Sequence, residues 1–370
     1  MSDQVRAAVR VAPGVTQMRE FPVPDLPADG ALLKVEVAGI CGTDVKMYAS
    51  PPFEAPVIMG HENVGTIAAA GAAFERRHGL AVGDRVFVEH YVGCFSCEWC
   101  HEGEYRHCEL TDWRTNPGAR RYGYTSADNE HHLWGGFAEY MYLPWNAVLH
   151  KVPDGVPADL AGLATPMSNG IEWALFAAGV AAGTTVLIQG PGQQGLSQVV
   201  ACRQAGASLV VVTGTARDRA RLELARRLGA DHVLDISETD PLTAVHDLTG
   251  GRGVDVVLDC TAGAGTAPVL LGVQALKRRE GVMVIQGELA AFPDFPVKLM
   301  TEKAITIKSA RGHRYRACEL ALEVIASGRY PLHELGSHTF GLDEVDTAIR
   351  TLGQGLDDAI HVSVLPWGAS

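Results

Sequence analysis

The chain has 370 residues, enough for about two domains with separate cores. Its 31 basic and 43 acidic residues give a formal net charge of −12, which argues against a nucleic-acid backbone as partner and leaves room only for a local basic pocket. Residues 1–11 alternate without the apolar core of a signal peptide, and no apolar run is long enough to cross a bilayer, so a cytoplasmic protein with no membrane partner is expected.

Residues 1 to about 155 are rich in Pro and Gly, with short strand-like runs at 32–37 and 85–89, the texture of an antiparallel, loop-rich domain. Gly39-Ile-Cys41-Gly-Thr43-Asp44 follows the first run, and Gly60-His61-Glu62 comes about twenty residues later. A thiolate and an imidazole together suit Zn²⁺, and Glu62 sets a carboxylate beside them. Each piece alone reads as core or as a satisfied polar group; the pairing carries the signal.

Cys94-x2-Cys97-x2-Cys100-x7-Cys108 is more specific. Thiolates at two-residue gaps on a loop converge on one tetrahedral Zn²⁺, and a fourth closes the shell without an open position, so the site reads as structural. A redox-active Cys-x-x-Cys leaves the third and fourth cysteines unexplained, and a disulfide scaffold belongs to short secreted chains. His101 and His107 lie within the run, but four thiols already fill the shell. The remaining Cys41, Cys202, Cys260 and Cys318 are scattered, as suits a reducing compartment. The stretch 109–134 contains Trp113, Tyr122, Tyr124, His131 and Trp134. It reads either as an aromatic wall for a bulky substrate or as a surface loop packing its own rings.

From about residue 160 strands and helices alternate: strands at 185–189, 209–213, 232–235, 254–259, 282–286 and 305–309, helices at 193–205, 217–228, 241–248 and 268–276. Continuous apolar strands separated by helices predict an α/β doubly wound parallel sheet covered on both faces. Gly190-Pro-Gly192-Gln193-Gln194-Gly195 ends the first of these strands and opens its helix. Such glycines permit a tight turn and close backbone approach to a pyrophosphate at a helix N-terminus, the signature of a dinucleotide site. The second strand ends Val212-Thr213-Gly214-Thr215 with no carboxylate, and Arg217 and Arg219 follow. Arginines there suit a 2′-phosphate and tip the expectation slightly to NADP(H); a solvated helix face is the other reading. After 310 the texture changes again, with helices at 317–327 and 342–352 and a terminal strand at 360–364 whose partner is expected in the first domain.

Together with Gly135-Gly136-Phe137-Ala138-Glu139-Tyr140, these motifs in this order resemble the zinc-dependent medium-chain dehydrogenase/reductase superfamily over nearly the whole chain, close to alcohol, sorbitol and threonine dehydrogenases. The resemblance implies a GroES-like β-rich catalytic domain (residues 1–158 and 315–370) and a Rossmann cofactor domain (residues 159–314). It implies that Cys41 and His61 hold a catalytic zinc, with Glu62 a ligand or exchangeable near-ligand. Asp44 would orient His61, and Thr43 would take the substrate hydroxyl proton. Lys46 stands where several relatives carry the outer histidine of a proton relay, so proton exit by water is expected. Thr165 stands where relatives place a Cys, Glu or Asp, which leaves three readings: Glu62 and water complete the shell, the metal is more weakly held, or this branch has drifted from zinc catalysis. The implied activity is reversible oxidation of an alcohol, a secondary alcohol or polyol, to a ketone or aldehyde by hydride transfer to NAD(P)⁺ in a homodimer or homotetramer. A zinc-independent reductase of activated double bonds on the same fold generally lacks the Cys41/His61 pair and the quartet. A zinc-ribbon binding protein leaves the glycine fingerprint unexplained.

Overall fold

A computed structural model of the protein describes residues 3–50, 56–112, 115–116, 118–286 and 291–368. The chain divides into two units: Met1–Thr165 with Arg314–Gly328 and Leu332–Ser370, and Pro166–His313 with Arg329–Pro331. None of the described helices is long and apolar enough to cross a membrane.

The first unit begins with β1 (Gln4–Ala12), β2 (Val15–Pro22), β3 (Ala31–Ile40), β4 (Val57–Ile58), β5 (Glu62–Ala70), β6 (Arg85–Val92), β7 (Tyr140–Leu143) and β8 (Ala147–Lys151). β3 is its central strand. It pairs antiparallel with β5 and β7, and its Ala-Leu-Leu-Lys-Val-Glu-Val-Ala-Gly-Ile sequence is apolar almost throughout because both faces are covered. β2 lies at the edge of a small sheet beside β1, which in turn pairs with β4, and its Thr-Gln-Met-Arg-Glu stretch is mostly exposed, polar side chains blunting a free edge. Val5, Val9, Leu32, Ile40, Ile58, Phe74, Phe137 and Val362 share one buried core.

The second unit carries β9 (Thr185–Gln189), β10 (Leu209–Gly214), β11 (His232–Asp235), β12 (Val256–Asp259), β13 (Val282–Ile285) and β14 (Thr306–Ser309). All pair in parallel, in the order β11-β10-β9-β12-β13-β14. This is the doubly wound arrangement, with the strand order reversing between β9 and β12 at the carboxyl ends where such sheets bind nucleotides. The helix after β9 spans Gln193–Gln204 and is buried along most of its length. The helix expected at 217–228 is instead a 3₁₀ turn, Ala216–Asp218, followed by an α-helix, Arg219–Arg227. The break comes from a capping box in which Asp218 accepts from the backbone N–H and hydroxyl of Thr215.

The chain ends in β15 (Gly336–Gly341) and β16 (His361–Leu365), parallel to each other, with β16 antiparallel to β3. The sheet of the first unit therefore runs β15-β16-β3-β5-β6-β8.

Candidate active site

The register of three strands builds the site. Gly39 on β3 pairs with Glu62 at the start of β5 and with Ser363 on β16. β3 then passes into the helix Gly42–Ala49, with Cys41 as its N-cap. Thr43 N–H donates to Cys41 Sγ at 3.5 Å, and Cys41 N–H donates to Asp44 Oδ2 at 3.0 Å, a capping box with a thiol in place of the usual hydroxyl. The other oxygen of Asp44 lies 3.2 Å from His61 Nδ1, an ion-pair contact that falls short of hydrogen-bond geometry, and accepts from Gly60 N–H at 3.4 Å. Asp44 is buried, so one carboxylate caps the helix and holds the ring of His61.

Cys41, His61 and Glu62 offer donor atoms that all lie within 4.8 Å of one another. Burial pushes the His61 imidazolium down, yet Asp44 and Cys41 outweigh it and hold its pKa well above the usual value. Surroundings that retain a proton on His61 also favour a cation. Glu62 is fully buried and neither of its carboxylate oxygens has a hydrogen bond; His361 Nε2 lies 3.5 Å from Oε2. A buried carboxylate left unsatisfied is costly, and a divalent cation between thiol, imidazole and carboxylate satisfies it. The residues present fit zinc.

Gly39 makes this meeting possible. A Cβ there would lie 2.8 Å from Glu62 Oε2 and 2.9 Å from His361 Nε2. Two aromatic side chains lie against His61, His90 at 5.3 Å and Tyr124 at 5.9 Å between ring centroids. The buried Arg121 lies over Tyr91 and Tyr124 and donates from Nη2 to His90 Nε2, which fixes His90 as a neutral ring protonated at Nδ1. Thr43 is half-buried with its hydroxyl 3.7 Å from Cys41 Sγ, whereas Lys46 is exposed on the same helix.

The four remaining clustered cysteines, Cys94, Cys97, Cys100 and Cys108, also converge within 4.8 Å, and none is in a disulfide. Burial raises the Cys94 thiol, but hydrogen bonds from Ser96 and Cys97 outweigh it and bring its pKa down to about 6, so this sulfur is a ready thiolate. His101 and His107 are exposed and stand outside the quartet.

In the second unit the three glycines of the β9 turn differ physically. Gly190 has φ +90°, a conformation L side chains rarely adopt. Gly195 packs against that turn, since a Cβ there would lie 2.0 Å from Gly190 O. Gly192 is the N-cap of the helix, and a Cβ there meets no protein atom within 4 Å. Beside it, the Oε1 atoms of Gln193 and Gln194 are buried without a hydrogen bond. Open space over a helix N-terminus fits a phosphate. Gly214 and Thr215 close the neighbouring strand, and Arg217 and Arg219 beyond them are exposed and form no ion pair among the described residues.

Comparison with known families agrees with this geometry. Residues 27–154 match the model of the alcohol dehydrogenase GroES-like domain, and residues 195–327 that of the zinc-binding dehydrogenase domain. The chain belongs to the zinc-type medium-chain dehydrogenase family. The dehydrogenase is 36% identical over 369 residues to a protein of Mycobacterium tuberculosis named "Probable alcohol dehydrogenase adh", covering 98% of each chain. It is 31% identical to the sorbitol dehydrogenase of Bacillus subtilis, covering 98% of this chain and 97% of the other. A Sinorhizobium meliloti zinc-binding dehydrogenase, solved bound to NADP, superposes with a TM-score of 0.83 at 25% identity, covering 98% and 99% of the two chains. The dehydrogenase is thus an oxidoreductase of alcohols.

The insertion at 109–134 shows part of each expectation, its rings packing together at Tyr122 and Trp134 and one of them, Tyr124, facing the cluster. Tyr122 and Trp134 are buried in the core of the first unit, with Tyr122 Oη donating to Tyr142 O, while Tyr124 turns to His61. Trp113 lies outside the described residues. His90, Arg121 and His361 were not legible in the sequence: no local spacing links any of them to Cys41. Thr165 is buried at the start of the helix Ala164–Ile171. Among the described residues, the metal-capable group around Cys41 contains no donor beyond His61 and Glu62.

Proposed function

We propose that the enzyme reversibly oxidises a secondary alcohol or polyol to the ketone or aldehyde with NAD(P)⁺, using the Cys41, His61 and Glu62 cluster for a catalytic zinc and the cysteine quartet for a structural one. The observation that carries this reading is Glu62, a buried carboxylate with both oxygens unsatisfied, set beside a thiol and an imidazole. Zinc held there would supply Lewis acidity toward a hydroxyl oxygen. A nicotinamide dinucleotide would supply the hydride acceptor.

The chain's own residues do the rest. Asp44 faces Nδ1 of His61 and leaves Nε2 as the donor atom. Thr43 Oγ1 lies beside Cys41 and takes the substrate hydroxyl proton. Lys46 is exposed on the same helix, and onward transfer is left to water. With Thr165 unable to ligate well, Glu62 and water complete the shell. Tyr124 and His90 wall the cluster on one side.

In the second unit the Gly190–Gly195 turn takes the pyrophosphate against the helix N-terminus. Asp218 is engaged by Thr215, so its carboxylate is not free to bond a ribose; the exposed Arg217 and Arg219 favour a 2′-phosphate and hence NADP(H). The NADP-bound relative and the sorbitol dehydrogenase support the cofactor and polyol assignments in turn.

The test is Glu62→Gln and Cys41→Ser. Each should lower turnover by about 10²-fold or more, with NAD(P)H affinity unchanged and one zinc equivalent lost in Cys41→Ser. Undiminished turnover in both variants would overturn the mechanism.

A further inference from the structure

The first unit holds a third cluster of metal donors, distinct from the two above. Glu89 on β6, His150 on β8 and Cys318 on the helix Tyr315–Ala326 place a carboxylate oxygen, an imidazole nitrogen and a sulfur within 4.8 Å of one another. All three are buried to within 1% of their surface. His150 Nε2 lies 2.8 Å from Glu89 Oε1, and Cys318 Sγ lies 3.3 Å from the same oxygen. On the far side of the ring, His150 Nδ1 bonds Glu319. Phe87 and Tyr315 lie against the imidazole, with ring centroids at 5.9 and 4.3 Å.

We propose that Glu89, His150 and Cys318 form a third, structural site for a divalent cation of the zinc class. Carboxylate, imidazole and thiolate together are a zinc donor set, and the thiol excludes magnesium and calcium as the preferred ions. Glu319 stands where a metal-bound histidine carries its outer partner: it accepts from Nδ1–H, fixes the tautomer and leaves Nε2 directed at Glu89 and Cys318. The Tyr105 hydroxyl, which donates to Glu89 Oε1, is the fourth polar group at the cluster.

Charge also balances. Without metal, hydrogen bonding requires two carboxylates, an imidazolium and a thiol. A divalent cation displaces one proton from the imidazolium Nε2 and one from Cys318, both released to solvent, so the net charge of the buried cluster stays the same. Complete burial leaves no place for a substrate, so the role is to fasten the helix Tyr315–Ala326 to β6 and β8 beside the lobe of the cysteine quartet. Tyr105, in the same buried group as Cys100 and Cys108, connects the two.

The test is elemental analysis of zinc-reconstituted, gel-filtered protein. Wild type should hold about three zinc ions per chain, one for each cluster, and Cys318→Ala about one fewer while retaining NAD(P)H binding. Cys41→Ser, which removes the catalytic equivalent, should lose a different ion, so the two assignments fail separately. Glu319→Gln keeps the three donors, and its third zinc should be lost to a chelator at about 10–100-fold lower concentration than in wild type. That variant decides the matter if Cys318→Ala does not fold. Two zinc ions in wild type would show a hydrogen-bonded network without metal, and three in Cys318→Ala or unchanged chelator sensitivity in Glu319→Gln would show that the third ion is not held by this cluster; each overturns the proposal.

Discussion

Gly192 and Gly195 stand three residues apart in the same turn, and the structure predicts opposite consequences for adding one methyl group to each. At Gly195 the new Cβ falls 2.0 Å from Gly190 O, about 1.4 Å short of an ordinary 3.4 Å contact. Neither the turn nor the buried helix behind it can retreat freely, so Gly195→Ala should destabilise the second unit by about 1–3 kcal/mol, the range for overpacking. In a unit of this size that is a fall in Tm of roughly 3–10 °C. At Gly192 the Cβ enters open space on a backbone with φ −74°, ψ −179°, which alanine adopts readily. Gly192→Ala should therefore lose roughly 0.5 kcal/mol at most, as an alanine N-cap. Its effect falls on the ligand: a pyrophosphate pressed against that backbone must move away, and NAD(P)H should bind about tenfold more weakly, about 1.4 kcal/mol. Thermal unfolding and fluorescence titration of NAD(P)H, with zinc content as a control, separate the two. An unchanged Kd in Gly192→Ala, or a larger loss of Tm there than in Gly195→Ala, would refute the assignment of this space to phosphate.

Three other substitutions test the first unit. Asp44→Asn should leave the helix cap largely intact but weaken zinc retention at the Cys41 cluster by about 10–100-fold, read by chelator competition, because the amide no longer holds His61 by charge. Gly39→Ala should separate Glu62 from His361 and lower turnover with little change in NAD(P)H affinity; full turnover would show that this close approach is incidental. The Arg85 guanidinium donates two hydrogen bonds to Glu36, at 2.7 and 2.9 Å, and holds its carboxyl below the usual value. A depressed carboxyl stabilises the fold above the unfolded pKa of about 4.3 and loses that contribution as pH falls through the folded value. With both side chains partly exposed, solvent screening limits it to about 1 kcal/mol. In urea unfolding, Glu36→Gln should be less stable than wild type at pH 7 and the gap should close toward pH 3; a gap independent of pH would refute the attribution.

The second unit was legible almost element by element, because its strands are short apolar runs between helices and their register follows from the chain order. β9 and β11 begin and end where the sequence pattern places them. The discrepancies come from side chains that compete with the backbone: Asp218 caps Thr215 and turns one helix into two pieces. In the first unit the pattern identified β3, β6, the two C-terminal helices and the return of the terminal strand to this unit, but not the helix Gly42–Ala49, which is set by the capping box on Cys41 and too short for periodicity to reveal. The metal donors were legible as residue types, but their neighbours were not. His361 reaches Glu62 only because β16 pairs with β3 from the far end of the chain. Arg121 reaches the site from within an insertion in which the sequence drew attention to the aromatics, Tyr124 among them, and to no basic residue.

The three donor clusters differ in what their polar atoms do without a cation, and this separates their roles better than ligand identity. In the quartet, backbone N–H groups of Ser96 and Cys97 already point at the Cys94 sulfur, so the loop is shaped around thiolates and the metal closes it. At Glu89 the hydroxyl, imidazole and thiol donors all converge on one oxygen, so a network of hydrogen bonds and a metal site compete for the same geometry. At Glu62 there is no such alternative, because both oxygens are buried and unsatisfied. A group left in that state costs about 1–3 kcal/mol, more for a charge. The fold bears that cost where Gly39 holds β3 bare enough for Glu62 and His361 to meet. Of the three clusters, this one has a carboxylate with both oxygens unsatisfied, whereas at Glu89 only Oε2 is, and it is the one that His90 and Tyr124 lie against.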